Sequence, residues 1–256
     1  MNIESNTVEN TEQSSGVVAK PHVCRRDYLF SNQLSMYGQR EIIGFGSNEF
    51  FIREIDKKVS NAMIIKNHYS HKVAGFATTY IYLGVFVQNI LLGSLQFGFS
   101  MNPASAGNIV KNTGIYEHLE LNRMWLDDKC QRNSESMAIS YSIKYIRAKF
   151  KKIKWIQSFA DERCGCFGIV YQAANFKYFG EHSSDFYSLD GVAIHKIALT
   201  HHADKRAAFE KVRARKDEMT KECLRQFRYI YFINQKCIKD CLLKEQPYPK
   251  HYSVVV

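Results

Sequence analysis

From Val73 to Val110 the chain carries no Asp, Glu, Lys or Arg. So long a run without a formal charge belongs either in a membrane or inside a sheet, because water would otherwise face a large apolar surface. A spanning helix needs roughly 20 mostly apolar residues. Here Thr78, Thr79, Gln88 and Asn89 interrupt the run, and glycines are scattered through it. Alternating β-branched and aromatic side chains fit buried strands better. The spacing predicts two, about Thr79 to Val87 and Ile90 to Phe99, joined by the tight turn Gln88-Asn89, and no membrane contact.

Further elements follow on each side of this pair. Upstream, residues 1 to 20 are rich in Asn, Glu, Ser and Thr and read as a disordered tail. Pro21 to Ser47 holds one short strand, and Phe51, Ile55, Val59 and Ala62-Met63 predict a helix from about Phe50 to Asn67. Downstream, a strand runs from Ile115 to Trp125 with an imperfect alternation that leaves its faces undecided. After a polar turn, Asp127 to Arg132, Asn133 or Ser134 caps a helix reaching Phe150, with Ile139, Ile143 and Ile146 on its buried stripe. A short strand, Lys154 to Phe159, ends at Asp161. A second helix from Phe167 stops before Gly180, and Asp185 to Leu189 with Val192 to Leu199 form a hairpin. The order predicts an α/β (α+β) domain over residues 21–200, with a central mixed sheet flanked by helices. Residues 201–256 read as a basic C-terminal extension packed on it: a helix from Ala203 to Met219, a strand from Phe227 to Phe232, and a short helix through Ile238 and Leu242.

The formal net charge of +10 points toward a polyanion such as nucleic acid, with a membrane surface or an anionic cofactor as the alternatives. The basic side chains cluster. Lys144, Arg147, Lys151, Lys152 and Lys154 follow one another without an acidic residue from Met137 to Gln157, and Arg213 and Arg215 belong to a second group. Such stripes attract phosphates, though a solvated helix face has the same composition. Seven cysteines without a CxxC pair or a signal peptide predict a reducing, cytoplasmic compartment and no disulfide framework. Cys164-Gly165-Cys166 lacks the further ligands that would make it a metal motif.

Several residues can carry chemistry. The turn Arg132-Asn133-Ser134-Glu135-Ser136 opens a helix beside a strand end, where free backbone N–H groups suit a phosphate or carboxylate. Simple capping is the other reading. Asp161 ends a strand, as a cleft carboxylate or a surface one. Tyr171 is either a proton donor or a core tyrosine. His68 and Tyr69 leave a helix beside the charge-free sheet, and His68 can be a general base, a metal ligand or merely structural. Arg123 lies within a strand, where a charge needs a partner such as Asp161, Glu135 or an anionic donor.

The strand, turn, helix, strand, helix order, with Ile169-Val170-Tyr171-Gln172-Ala173-Ala174-Asn175-Phe176-Lys177-Tyr178-Phe179-Gly180 at its end, resembles the acetyltransferase superfamily that uses coenzyme A. More closely, four motifs resemble the Mom family of phage DNA-modification proteins. They are Glu120-Leu121-Asn122-Arg123-Met124-Trp125-Leu126-Asp127-Asp128, Arg132 to Ser136, Ser158-Phe159-Ala160-Asp161 and Tyr171 to Phe176. Asn67-His68-Tyr69 and Pro247-Tyr248-Pro249-Lys250 extend the likeness to roughly residues 55 to 250. The resemblance implies a GNAT-like acetyltransferase fold and conversion of adenine N6 in DNA to a carbamoylmethylated form that shields the DNA from restriction. It implies His68, Tyr69, Arg123, Asp161 and Tyr171 as catalytic residues, and Asn133, Ser134, Glu135 and Ser136 as the cofactor turn. It further implies an acetyl-CoA-like donor, and iron on which His68 and Asp161 are candidate ligands. The partners implied are a small-molecule donor and double-stranded DNA with the adenine flipped out, in the host-cell cytoplasm; a homodimer stays open. An acyl-CoA-dependent N-acyltransferase on another amine and a non-catalytic basic DNA-binding protein are the competing functions.

Overall fold

The computed structural model describes residues 25–73, 78–162, 165, 167–190, 192–195 and 214–250. The expected tail, Cys164, Cys166, Arg213 and most of the expected basic helix lie outside the described residues.

Its strands are β1 (Asp27–Leu34), β2 (Arg40–Gly46), β3 (Phe50–Glu54), β4 (Thr79–Val87), β5 (Ile90–Gly98), β6 (His118–Leu126), β7 (Trp155–Asp161), β8 (Lys177–Leu189), β9 (Val192–His195) and β10 (Thr220–Phe232). The helices are α1 (Lys57–Asn67), α2 (Ser134–Lys149) and α3 (Ile169–Ala173). All ten strands join one sheet in the order β1-β2-β3-β4-β5-β6-β7-β10-β8-β9. Every pairing is antiparallel except β6 with β7. That parallel step has α2 as its crossover, so the sheet is mixed and flanked by helices, as the order of elements predicts. No described helix is long and apolar enough to cross a membrane.

The charge-free run forms β4 and β5. Gln88 and Asn89 both take left-handed backbone conformations, φ 48° and 66°, as a two-residue hairpin turn with strand-like twist requires. Alternation along β5 sends its side chains to two different helices. Ser94 and Gln96 reach α1, with Ser60 Oγ and Ser94 Oγ 2.7 Å apart and Gln96 Nε2 donating to Ser60 Oγ at 2.9 Å. Leu95 and Phe97 join the main core with Ile139, Ile143 and Ile146 of α2. Thus α1 and α2 cover opposite faces of the sheet.

The irregular alternation of β6 has a structural cause. Gln96 pairs with Arg123 but Phe97 pairs with Leu121, so Asn122 is an extra, bulged residue. Leu119 and Leu121 face the α2 core before it, and Met124 and Leu126 after it. The bulge therefore turns Glu120, Arg123 and Trp125 to the α1 face. Asn122 fixes the distortion by accepting from Thr79 Oγ1 and donating to the Phe99 carbonyl, both at 3.1 Å.

Several expected boundaries are corrected. Phe50 to Glu54 is strand β3, and the helix begins only after Asp56, whose carboxylate accepts from the Lys58 N–H at 2.7 Å. Phe50, Phe51 and Ile52 are all buried, as an interior strand demands, and their helical spacing to later residues is coincidental. The segment before Ser47 holds two strands, not one. α3 stops at Ala173 because Asn175 turns left-handed, and β8 then starts at Lys177. The boundary expected at residue 200 does not isolate an appendage, since β10 lies between β7 and β8. Phe227 and Tyr229 enter the main core, while Ile230 and Phe232 enter a second cluster with Trp155, so β10 is buried on both faces. Ile238 lies in a 3-10 turn, Gln235–Asp240.

Candidate active site

β6 and β7 pair only over His118–Trp155, Leu119–Ile156 and Glu120–Gln157. Beyond that, β6 stays with β5 and β7 with β10, so the sheet forks. On the α1 face the open prongs carry Arg123 and Trp125 from β6, and Phe159 and Asp161 from β7. In sheets with parallel strands, ligands bind at such an opening at the carboxyl ends of the strands.

The exit of α1 overhangs this fork. Tyr69 Oη donates to Asp161 Oδ2 at 3.4 Å, and the Tyr69 and His68 rings lie 4.3 Å apart. Arg123 pins the loop in place, donating from Nε to the Lys72 carbonyl at 2.9 Å and from Nη1 to the Asn122 carbonyl at 2.6 Å. His68 and Asp161 are 7% and 6% exposed, so both are shielded polar groups within reach of the fork. Burial, then the Arg123 guanidinium, then His71, depress the His68 imidazole to about 4, with Asp161 pulling the other way. His68 is therefore neutral at pH 7. Its Nδ1 accepts from the Ser70 N–H at 3.1 Å, which puts the proton on Nε2. A neutral, Nε2-protonated imidazole is a donor at Nε2, whereas the Asp161 carboxylate is an acceptor.

The remaining candidates lie elsewhere. Tyr171 sits on the α2 face, its ring 5.7 Å from Phe176 and 5.4 Å from Tyr229. Asn133 precedes α2 with a left-handed backbone, φ 70°, and its side chain makes no capping bond. Ser134 is buried, its N–H taken by the Gln131 carbonyl. A cavity of about 320 Å³ opens here, bordered by Arg132, Glu135, Ser136 and Val170 but also by Asp127 and Asp128. Arg132 and the helix start suit one anionic oxygen. Three carboxylates against one guanidinium, with no glycine in the turn, do not suit the pyrophosphate of an acetyl-CoA-like donor. Iron fares similarly. Among the described residues no three His, Cys, Asp or Glu side chains converge, and Asp161 is already engaged by Tyr69.

The basic candidates divide. Lys144, Arg147, Lys151 and Lys152 are exposed, but Lys154 is bound to Glu117 at 2.6 Å, and Arg215 to Asp190 and Glu218 at 2.6 and 2.7 Å. Lys151 to Lys154 precede β7 at the closed end of the fork, about 20 Å along the strand from Asp161.

Sequence reasoning missed a second polar group on the α1 face. Gln157 Nε2 donates to Glu120 Oε2 at 2.8 Å, and burial pushes that carboxyl up to about 6 against the pull of Gln157, Asn122 and Arg123. Arg228 of β10 lies 4.9 Å over the Phe159 ring and donates to Gln157 Oε1 at 3.4 Å. A charged residue in the apolar run Phe227 to Phe232 was the available signal.

Comparison with known proteins gives the same picture. The model of the Mom protein family matches residues 49–250. Methylcarbamoylase mom of Escherichia phage Mu is 40% identical over 253 residues, covering 97% of this chain and 98% of that protein. Among solved structures, the ribosomal-protein-S5-alanine acetyltransferase of Vibrio fischeri is similar at 12% identity and TM-score 0.45, covering 75% of this chain and 98% of its own. An N-acetyltransferase of Staphylococcus aureus Mu50 is similar at 15% identity and TM-score 0.43, covering 72% and 98%. The fold class rests on the strand order itself, not on these scores. With the family model spanning most of the chain and a full-length relative at 40% identity, this chain belongs to the Mom protein family.

Proposed function

We propose that this chain is a DNA-modifying transferase that places a carbamoylmethyl group on N6 of adenine in phage DNA, guarding it from restriction. The observation that carries the reading is the buried Asp161 carboxylate, which accepts from the half-exposed Tyr69 over the mouth of the β6/β7 fork, beside the loop that Arg123 pins. Membership of the Mom protein family supports DNA as the substrate class.

Adenine N6 is a weak nucleophile because its lone pair is delocalised into the ring. As the new N6–carbon bond forms to the methylene of the donor, the N6 proton must leave. Asp161 accepts it, and Tyr69 holds that carboxylate in line. The bond from the methylene to the leaving group breaks with its electron pair, and solvent water protonates the leaving group, because Tyr171 packs on the α2 face away from the fork. Neutral His68 offers its Nε2–H to an oxygen of the incoming group. The donor is a small activated molecule taken at the 133–136 turn. The adenine reaches the fork only when flipped out of the duplex, stacked on an aromatic such as Trp125, Tyr69 or Phe159. Exposed Lys144, Arg147, Lys151 and Lys152 add salt-sensitive attraction for the duplex. The acidic lining of the turn disfavours an ordinary acyl-CoA-dependent enzyme.

Plasmid from cells expressing the protein, digested to nucleosides and weighed, tests this. The expected result is a deoxyadenosine heavier by one carbamoylmethyl group. Unmodified adenine from cells holding folded, DNA-bound protein would refute it.

A further inference from the structure

We infer that Arg228, stacked on Phe159, is the positioning residue that grips a phosphodiester beside the target adenine and so delivers N6 to Asp161. This rests on the reading of DNA adenine modification above.

Three observations meet at Arg228. First, its guanidinium is half-buried yet poorly partnered. Five N–H donors have, among the described residues, one long hydrogen bond to Gln157 Oε1 at 3.4 Å. Glu120 is the acid that steadies its charge, but Glu120 Oε2 is already taken by Gln157. Among the described residues the guanidinium has no direct ion pair, and its remaining N–H groups can take a further anion. Second, it stands in a regular β7 register opposite an irregular neighbour. β8 and β10 lose register between Phe227 and Tyr229, so Arg228 lies opposite a β8 bulge containing Gly180, whose φ is +87°. Third, the distance is right. Arg228 pairs with Phe159 and Gln226 with Asp161, so the backbone positions of Arg228 and Asp161 lie about 7 Å apart along the strands. Phe159 lies between them as an aromatic platform.

The anion belongs to the nucleotide because of where Arg228 stands. It shares the α1 face with Tyr69 and Asp161, whereas the 133–136 turn lies with α2 and α3 on the other face.

The probe is a short duplex with one adenine opposite an abasic site, so that the base leaves the stack freely. Each phosphate flanking the adenine is replaced in turn by a neutral methylphosphonate, and affinity is read by fluorescence anisotropy. With wild-type protein, one of the two replacements is expected to weaken binding about tenfold. Arg228→Ala is expected to lose the same factor on the native duplex and nothing more on that methylphosphonate duplex, with Arg228→Lys between the two. The inference is overturned if neither replacement matters to wild-type protein, which needs no variant to fold. It is equally overturned if the two losses multiply. Arg228→Ala binding DNA like wild type while losing product in cells would assign the anion to the donor and overturn it too. Wild-type protein that leaves plasmid adenine unmodified refutes the underlying reading and this inference with it. Modified adenine with multiplying losses refutes this inference alone.

Discussion

His68 links the fold to pH through one proton. Buried imidazole depressed from its ordinary 6.5 to about 4 binds that proton far more weakly folded than unfolded. Each tenfold in proton affinity is about 1.4 kcal/mol, so the whole depression is worth about 3 kcal/mol. The sign follows from which state takes the proton first. Above 6.5 neither state is protonated and the contribution is complete. As pH falls from 6.5 toward 4 the unfolded chain gains a proton that the folded one refuses, and stability drains away. His68→Asn keeps an acceptor for the Ser70 N–H but cannot titrate. Urea unfolding of both proteins from pH 8 to pH 4, followed by tryptophan fluorescence, separates this residue from every group they share. Wild type is expected to lose about 3 kcal/mol more than the variant across that window. Parallel losses would show that His68 is protonated as easily folded as unfolded, and its role as a neutral donor would fall.

Other outcomes follow from the same geometry. Asp161→Ala is expected to cut modified adenine at least roughly a hundredfold while DNA affinity holds; equal loss of both would make Asp161 structural. Asn122→Ala removes two bulge-fixing hydrogen bonds and is expected to cost about 1–3 kcal/mol in denaturant unfolding, an unchanged midpoint arguing against the bulge's role. A methyl on Gly98 would stand 1.8 Å from the Thr78 carbonyl oxygen, so Gly98→Ala should lower the melting temperature sharply, and a neutral effect would contradict the close β4–β5 packing. DNA affinity should fall steeply between low and physiological salt, since phosphate contacts release counterions; a flat response would remove the basic-stripe contribution.

Elements whose cues are local were legible in the sequence. Gln88-Asn89 marks its hairpin because both residues tolerate a positive φ, and α2 shows its apolar stripe. Elements defined by their neighbours were not. Phe50 to Glu54 is a strand because β2 and β4 flank it, and β10 joins the sheet across a long stretch of chain. The bulge at Asn122 hid the two faces of β6 by shifting its alternation one residue. At the site, Tyr69 and Asp161 are 92 residues apart, a separation no periodicity bridges; the family likeness singled out each of them. Charge counting could not see that Lys154 and Arg215 already have acidic partners. Arg228 was hidden for the opposite reason, as one cation among strand aromatics.

The most direct test of the central claim is the mass of deoxyadenosine in plasmid from cells expressing wild type or Asp161→Ala. Wild type should yield a deoxyadenosine carrying one carbamoylmethyl group on N6, and Asp161→Ala only the unmodified nucleoside. The same modified nucleoside in undiminished yield from Asp161→Ala would place the chemistry outside the Tyr69–Asp161 fork.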